Sequence, residues 1–132
     1  MSKFVKRLRK IKKYPENCIL IGNEFGYLED FCGLFANVFS LIIDDVLPKK
    51  RNLIHRQDFR EISLIPNIDF VFVDYKHINQ ISEIENAISR FRCAVYINHG
   101  EFLVPKYGQF FGKLGYEITE INASYQIWTP KK

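Results

Sequence analysis

Residues 68–74, Ile-Asp-Phe-Val-Phe-Val-Asp, carry the clearest strand pattern in this chain and decide its fold class. The run is rich in β-branched and aromatic residues and closes on an acidic residue, Asp74. A helical pattern follows, because apolar residues recur on one helix face at Ile78, Ile81, Ile84, Ile88 and Phe91. A buried strand that leads into an amphipathic helix is typical of an α/β protein.

Shorter apolar runs extend this pattern in both directions. Before residue 68 there are strand-like runs at 18–22, 39–43 and 52–56, and a helical spacing over 27–38. After it come a run at 93–97, a helical pattern over 101–114 that Gly115 ends, and alternating runs at 116–121 and 125–128. The predicted order is β-α-β-β-β-α-β-α-β-β. This order indicates a three-layer Rossmann-like fold: a mostly parallel, seven-stranded sheet with a C-terminal antiparallel hairpin and helices on both faces. Residues 46–52 are too few for a helix between the second and third strands.

Length and composition limit the number of domains and the classes of protein to which this chain can belong. A chain of 132 residues with 47% apolar residues can bury the core of one domain, which we expect at residues 16–132 behind a helix at 1–15. No apolar run reaches the roughly 18 residues that span a bilayer, and nothing resembles a secretory signal, so we expect a cytoplasmic protein with no membrane span. The cysteines are too few and too widely spaced for a disulfide framework or a zinc site, and we expect all three to be buried: Cys18, Cys32 and Cys93.

Positive charge is concentrated at the beginning of the chain. Residues 3–13 hold seven bases and no acid, whereas the rest of the chain carries twelve bases and fifteen acids. Phe4, Leu8 and Ile11 recur at helical spacing and Pro15 ends the pattern, which predicts a basic amphipathic helix. Two interpretations remain open. The helix contacts nucleic-acid phosphates or an anionic surface, or it docks its apolar face on the rest of the protein.

Polar residues gather directly after the predicted strands. In an open α/β sheet, ligands bind outside the carboxyl ends of the strands, where the strand order reverses. The groups at those ends are Gly22 to Gly26, Asp44, Asp45, Asp58, Asp74, Lys76, His77, Asn98 and His99. They form the candidate site, with the alternative that these residues only terminate buried strands.

With these landmarks, residues 18–129 resemble the class I S-adenosylmethionine-dependent methyltransferases, whose seven-stranded sheet ends in an antiparallel hairpin. The resemblance implies that S-adenosylmethionine is the cofactor. It implies a cofactor loop at Gly22, Asn23, Glu24 and Gly26. It also implies contacts to the ribose hydroxyls at Asp44 or Asp45 and to the adenine amino group at Asp58.

The cofactor loop departs from the family pattern. The family usually has three glycines there and an acidic residue in the first strand, whereas here Glu24 takes the middle glycine position and Leu20 the acidic one. Glycine lets the backbone approach a ligand closely, so Glu24 favours a reduced cofactor site. Its carboxylate can also pair with the positive groups of S-adenosylmethionine and so replace the missing acid. Two functions remain open: a small methyltransferase of unidentified acceptor, and a non-catalytic module that contacts nucleic acid or a protein through the basic helix.

The candidate residues on the acceptor side are Asp74, Lys76 and His99. Residues 74–77 are similar to the metal-dependent catechol-type O-methyltransferases, in which the aspartate holds magnesium and the lysine is the base. That branch ends its fifth strand in Asp-Asn, whereas this chain has Asn98 and His99. Magnesium prefers oxygen ligands, so we do not expect a metal site. His99 as a general base, or these residues as plain strand ends, are the alternatives.

Aromatic residues are frequent in the last third of the chain: Phe102, Tyr107, Phe110, Phe111, Tyr116, Tyr125 and Trp128. Their helix and strand periods predict that most of them belong to the core. Family members often dimerise through this region, so the resemblance implies a homodimer face for any that remain exposed.

Overall fold

The computed structural model describes residues 3–21, 32–41, 51–56, 59–62, 64–65, 67–74, 81–98, 106–121 and 125–131. Within these residues, seven strands form one sheet. They are β1 (Asn17–Ile21), β2 (Asn37–Ser40), β3 (Leu53–His55), β4 (Ile68–Asp74), β5 (Ala94–Asn98), β6 (Tyr116–Ile121) and β7 (Tyr125–Pro130). Their order across the sheet is β3-β2-β1-β4-β5-β7-β6. β7 runs antiparallel to both its neighbours, and the remaining pairs are parallel. The mostly parallel sheet with a C-terminal antiparallel hairpin is confirmed.

Helices cover both faces of the sheet. In the described residues they are α1 (Lys3–Ile11), α2 (Ile81–Phe91) and α3 (Lys106–Lys113), with a short helical segment at 32–34 and a 3-10 turn at Phe59–Glu61. Leu8 of α1 is fully buried in the apolar cluster on one face. Ile88 of α2 and Phe111 of α3 are fully buried in the cluster on the other face. The molecule therefore has three layers, helix on sheet on helix, as the sequence predicts.

The central strands supply both apolar clusters because successive side chains of a strand point to opposite faces. In β4, Val71 and Val73 belong to the cluster beneath α2 and α3, and Phe70 and Phe72 to the cluster beneath α1. All four are fully buried. A strand that is covered on both faces has no solvated side, which is why the sequence of β4 is almost continuously apolar.

The predicted boundary between the first helical pattern and the second strand is wrong. Residues 32–34 are helical, but residues 37 and 38, which the helical spacing includes, belong to β2, and β2 ends at Ser40 rather than at residue 43. Asn37 pairs with Asn17 of β1, and its side-chain amide donates a hydrogen bond to the Asn17 side-chain oxygen at 3.1 Å. Pairing with β1 satisfies the backbone groups of Asn37 and Val38, so it overrides the local helical spacing of these residues.

The connection between β2 and β3 is longer than the sequence predicts. Because β2 ends early, the connection runs over residues 41–52 rather than 46–52. Parallel strands need a crossover of about a dozen residues, which this segment provides. At its end, the side-chain amide of Asn52 donates to the carbonyl oxygens of Cys32 at 2.8 Å and Phe35 at 3.0 Å. Those two bonds hold the start of β3 against the start of β2. Residues 42–50 lie outside the described part of the chain.

Two glycines of the α3 region are expected to respond oppositely to alanine. Gly115 follows the helix with φ of +77°, where a side chain is strained, so Gly115→Ala should lower the free energy of unfolding by about 1 kcal/mol. Gly112 lies within α3, is exposed, and has no atom within 4 Å of an added Cβ, so Gly112→Ala should raise it by about 0.5–1 kcal/mol. Urea unfolding of the two variants checks the signs. Equal changes in the free energy of unfolding would contradict the left-handed backbone conformation of Gly115.

Candidate functional site

The carboxyl ends of the parallel strands β1 to β5 meet at one edge of the sheet, which we call the carboxyl edge. Their last residues are Ile21, Ser40, His55, Asp74 and Asn98. β1 has β2 on one side and β4 on the other, so the direction of chain progression reverses between β1 and β4. Connections leave towards opposite faces at such a reversal, and ligands of open α/β sheets bind there. The carboxyl edge at β1 and β4 is the candidate functional site.

Asp74 lies at this edge as the last residue of β4. It is the register partner of Asn98, the last residue of β5. The neighbouring pair along the same two strands is Val73 and Ile97, both fully buried. The backbone therefore brings a predicted catalytic position beside a second polar residue where two buried strands end. The side chains of Asp74 and Asn98 are outside the described part of the structure.

The other candidate residues from the sequence lie outside the described residues. They are Gly22, Asn23, Glu24, Gly26, Asp44, Asp45, Asp58, Lys76 and His99. Their described neighbours in the chain are at the carboxyl edge: Ile21 ends β1, and Asn98 ends β5. The roles of these residues stay predictions.

A buried hydroxyl at the end of β2 was missed by the sequence reasoning. Ser40 is fully buried next to Leu20 of β1, and its Oγ has no hydrogen-bond partner in the described structure. Its carbonyl oxygen accepts from the backbone N–H of Arg56 at 2.8 Å and lies 3.1 Å from Nδ1 of His55. The signal was a single hydroxyl within the apolar run 39–43. A buried hydroxyl without a partner is costly, so a water molecule, a ligand or a residue outside the described part has to satisfy it or the cost is retained.

Ser40→Ala should leave the protein equally stable or raise its free energy of unfolding by up to about 1 kcal/mol, because no hydrogen bond to a described residue is lost. Guanidinium unfolding followed by circular dichroism measures this. Ser89→Ala, at an exposed position of α2, is the matched control and should change stability by less than about 0.5 kcal/mol. A loss of more than about 1 kcal/mol on Ser40→Ala would mean that the hydroxyl has a partner within the protein.

Leu20 lies where the resemblance implies an acidic residue in the first strand. It is 1% exposed and belongs to the apolar cluster beneath α1. Its register partners are Ser40 on one side and Phe72 on the other, both fully buried. A carboxylate there would be desolvated, so the leucine serves packing. Any anionic partner for a cofactor amino group has to come from another segment.

Two of the three cysteines belong to the buried core. Cys18 and Cys93 are buried as predicted, whereas Cys32 is only half-buried. Burial raises the pKa of the Cys93 thiol to about 12 and raises that of Cys18 well above its usual range. Both remain protonated near neutral pH, and the thiolate is the nucleophilic form. Neither residue is a candidate nucleophile. Among the residues that the structure describes, no three His, Cys, Asp or Glu side chains gather as metal ligands.

The aromatic cluster is largely core, as predicted. Phe111, Tyr116 and Trp128 are buried, and Phe110 and Tyr125 are half-buried. The Tyr116 hydroxyl donates to the Cys93 carbonyl oxygen at 2.7 Å, so its polar end is satisfied inside the protein. Phe102 and the side chain of Tyr107 are outside the described part. The homodimer remains a prediction.

The basic helix α1 docks on the body of the protein. Leu8 is fully buried and Ile11 is half-buried against the sheet face that Phe70 and Phe72 line. Two bases, one in α1 and one directly after it, contact acidic residues of the body: Arg7 pairs with Glu120 of β6, and the Lys12 ammonium lies 3.5 Å from a carboxylate oxygen of Asp69 in β4. Lys6, Lys10 and Lys13 are exposed. The helix α1 therefore packs its apolar face on the sheet and at the same time keeps bases exposed. None of the described helices is long and apolar enough to cross a membrane.

Comparisons with known proteins show what the chain is similar to. No protein-family model matches the sequence, and no curated protein sequence matches it significantly. Solved structures do match. A candidate type 11 methyltransferase from Sulfolobus solfataricus superposes with a TM-score of 0.70 at 12% identity, over 94% of this chain and 89% of that one.

Two further structures match over nearly the whole chain. The precorrin-6y C5,15-methyltransferase of Geobacter metallireducens gives a TM-score of 0.60 at 15% identity, covering 97% of this chain and 87% of its own. The N-methyltransferase NodS of Bradyrhizobium japonicum gives 0.59 at 10% identity, covering 97% and 93%. At such identities the likeness establishes a shared fold alone, and the chain spans most of the length of each of these enzymes.

Proposed function

We propose that this chain, which has the fold of the class I S-adenosylmethionine-dependent methyltransferases, binds S-adenosylmethionine at the carboxyl edge between β1 and β4. The observation that carries the proposal is the strand order β3-β2-β1-β4-β5-β7-β6, which puts the reversal at β1 and β4. The strands of an open sheet offer a ligand crevice at that point and nowhere else along the edge.

The residues that follow these strands in the sequence carry groups that suit the cofactor. The loop after β1 would cradle it through Gly22, Asn23, Glu24 and Gly26. Asp44 or Asp45 would accept hydrogen bonds from the ribose, and Asp58 from the adenine amino group, because carboxylates pair with such donors. The unpartnered Ser40 hydroxyl at the end of β2 agrees with a polar group being needed nearby. Glu24 would supply the anion that Leu20 does not.

The chain's residues on the acceptor side would position the nucleophile. When bound, S-adenosylmethionine supplies a methyl group whose bond to sulfur breaks as the acceptor lone pair attacks, leaving the electron pair on a neutral thioether. Asp74 and His99, at the ends of β4 and β5, would hold the acceptor and accept its proton, and Lys76 would orient it. Alignment of the reacting atoms provides most of the acceleration in such a transfer.

A second function is favoured by a separate observation. Exposed bases remain at Lys6 and Lys10 of α1 and at Lys13 after it, although Leu8 of the apolar face is buried. A non-catalytic protein of this fold would use that surface to contact nucleic acid or an acidic protein partner. Such a protein would keep the sheet but would not bind the cofactor. The presence of Glu24 where the family has a loop glycine agrees with this function.

Calorimetric titration with S-adenosylmethionine and S-adenosylhomocysteine, each with and without magnesium, separates the two functions. Binding in the micromolar range is expected, with no requirement for magnesium. Asp58→Ala should weaken it at least tenfold, as expected when a ligand donor loses its charged acceptor. Arg51→Ala, an exposed change at the start of β3, should leave it unchanged.

The Glu24 hypothesis has its own variant in the same titration. Glu24→Ala should weaken binding several-fold if its carboxylate pairs with the cofactor, whereas unchanged affinity would refute that role. If the unaltered chain gives no heat of binding and no thermal stabilisation at millimolar cofactor, the cofactor proposal is refuted. The second function, a non-catalytic protein that contacts nucleic acid or an acidic protein, would then remain.

A further inference from the structure

A groove lies at the opposite edge of the sheet from the proposed cofactor site. It encloses about 660 Å³, within the range of ligand-binding clefts. Its walls come from the beginning of β4 and β5, the end of β7, the beginning of β6, and the end of α1. We call this the amino-edge groove, because the parallel strands β4 and β5 begin there. Nothing proposed for S-adenosylmethionine involves it.

Basic residues from three separate segments converge on the amino-edge groove. Lys10 and Lys12 come from α1 and its end, Arg92 precedes β5, and Lys131 follows β7. The acidic residues in the lining are Asp69 and Glu117, so four positive charges face two negative ones. Asp69 is already engaged, since one of its oxygens lies 3.5 Å from the Lys12 ammonium and the other accepts from the backbone N–H of Glu16 at 2.6 Å. In the described part of the chain, Lys10 and Lys131 form no ion pair.

Arg92 is held in an unusual backbone conformation beside the groove. Its φ is 49°, in the left-handed region that glycine normally occupies after a helix, and its N–H still bonds to the Ile88 carbonyl oxygen at 2.8 Å. Its guanidinium donates to the Leu114 carbonyl oxygen at 2.6 Å and lies 5.0 Å from the centre of the Tyr116 ring. Such a conformation persists because surrounding contacts hold it, and here the two contacts of the guanidinium fix Arg92 beside the groove.

The basic surface continues beyond the groove. A smaller groove of about 380 Å³ between α1 and β6 shares Lys10, Ile11 and Thr119 with the first and adds Arg7 and Glu120. Lys6 and Lys10 lie one turn apart on α1 and are exposed. The positive surface is thus a track along α1 rather than a pocket for a single phosphate, which favours an extended polyanion.

An exposed aromatic residue follows α1 in the chain, two residues after Lys12 of the groove lining. Tyr14 is 79% exposed, and the Lys13 ammonium lies 5.5 Å from the centre of its ring. The Lys13 ammonium therefore covers one face of the ring, and the other face is available for stacking. Proteins that bind single-stranded nucleic acid combine a positive groove with aromatic rings on which unpaired bases stack.

A membrane surface suits this arrangement less well. A helix that lies on a bilayer inserts its apolar face among the lipids. In α1, Leu8 is fully buried and Ile11 is half-buried against the sheet. The apolar area of Leu8 and part of that of Ile11 is therefore unavailable to lipid, while Lys6 and Lys10 are exposed.

We propose that the amino-edge groove and the exposed bases of α1 bind single-stranded nucleic acid, with phosphates along Lys10, Arg92 and Lys131 and a base stacked on Tyr14. This inference stands independently of cofactor binding, because the two sites lie at opposite edges of the sheet. It also assigns residues far from α1 in the chain, Arg92 and Lys131, to the same surface.

Fluorescence anisotropy with a labelled oligouridylate of about 12 nucleotides tests the proposal. The full chain should bind it, and the affinity should fall at least tenfold between about 50 and about 200 mM salt, as phosphate contacts release counterions. The double variant Lys10→Glu with Lys131→Glu should bind at least tenfold more weakly. The matched double variant Arg51→Glu with Lys113→Glu has the same charge change at exposed positions outside the groove, and should lose less than threefold.

Tyr14→Ala distinguishes single strands from duplexes. It should weaken binding of the oligouridylate about fivefold or more and leave binding of a duplex of equal length unchanged. Thermal unfolding confirms that each variant is folded, and titration with S-adenosylmethionine should give the unaltered affinity for the groove variants.

Four results would overturn the proposal: no binding at about 50 mM salt, equal losses for the two double variants, tighter binding of the duplex, or binding to phosphatidylserine vesicles without binding to the oligonucleotide. If the oligonucleotide does not bind but S-adenosylmethionine does, only the nucleic-acid proposal is refuted. If the oligonucleotide binds but S-adenosylmethionine does not, only the proposed cofactor binding is refuted.

Discussion

Leu8→Ala is expected to lower the free energy of unfolding by about 3 kcal/mol, a large part of the stability of a domain this size. Leu8 is fully buried although it lies near the beginning of the chain and among basic residues. It belongs to the apolar cluster that contains Phe70 and Phe72 of the central strand β4. Removing its side chain leaves a cavity beneath α1. Urea unfolding followed by circular dichroism measures the change.

The neighbouring Ile11 provides the comparison for Leu8. It is only half-buried, so Ile11→Ala should cost about 1 kcal/mol. Equal and negligible effects of the two variants would mean that α1 leaves the sheet in solution and that the docked arrangement is wrong. If the expected difference is found, residues 1–15 fold together with 16–132. The nucleic-acid experiments must then use charge-reversal variants of the full chain, because a truncation would expose the cluster beneath α1.

Phe111→Ala is expected to cost about 4 kcal/mol, the largest effect among the variants considered. Phe111 is fully buried, and its ring stacks on Trp128 with centroids 4.9 Å apart and planes 21° apart. It also lies 6.1 Å from the ring of Tyr116. Its loss removes the contacts with Trp128 and Tyr116 and admits water beside Trp128. Guanidinium unfolding measures the cost.

Trp128 reports on the same change by fluorescence. It is the single tryptophan of the chain and is 8% exposed, so its emission can be assigned without ambiguity. We expect a red shift in Phe111→Ala, because the indole gains contact with water. Phe110→Ala is the matched control on the same helix: Phe110 is half-buried and contacts Phe111 edge to face, so this variant should cost about 1–2 kcal/mol and leave the emission unshifted. A red shift of equal size in both variants would rule out the specific stack on Trp128.

Part of the candidate site could be predicted from the sequence. Asp74 and Asn98 were each expected at the end of a strand, and the backbone register, which the sequence did not predict, pairs these two residues. Such positions are predictable because a polar residue that closes an apolar run marks where a buried strand reaches the surface. Ser40 was not predicted as a site residue, because a lone hydroxyl within an apolar run has no local signature. Its lack of a partner depends on what the neighbouring strand presents.

The sequence by itself determined the number, type and chain order of most elements, as β4, α2 and the hairpin of β6 and β7 illustrate. The reason is that these depend on local periods of apolar residues, two for strands and 3.6 for helices. The tertiary structure alone decided the strand order, the early start of β2, the burial of Leu8 within a basic helix, and the meeting of Lys10, Arg92 and Lys131 at one groove. Those features depend on contacts between residues far apart in the chain, and no local pattern records such contacts.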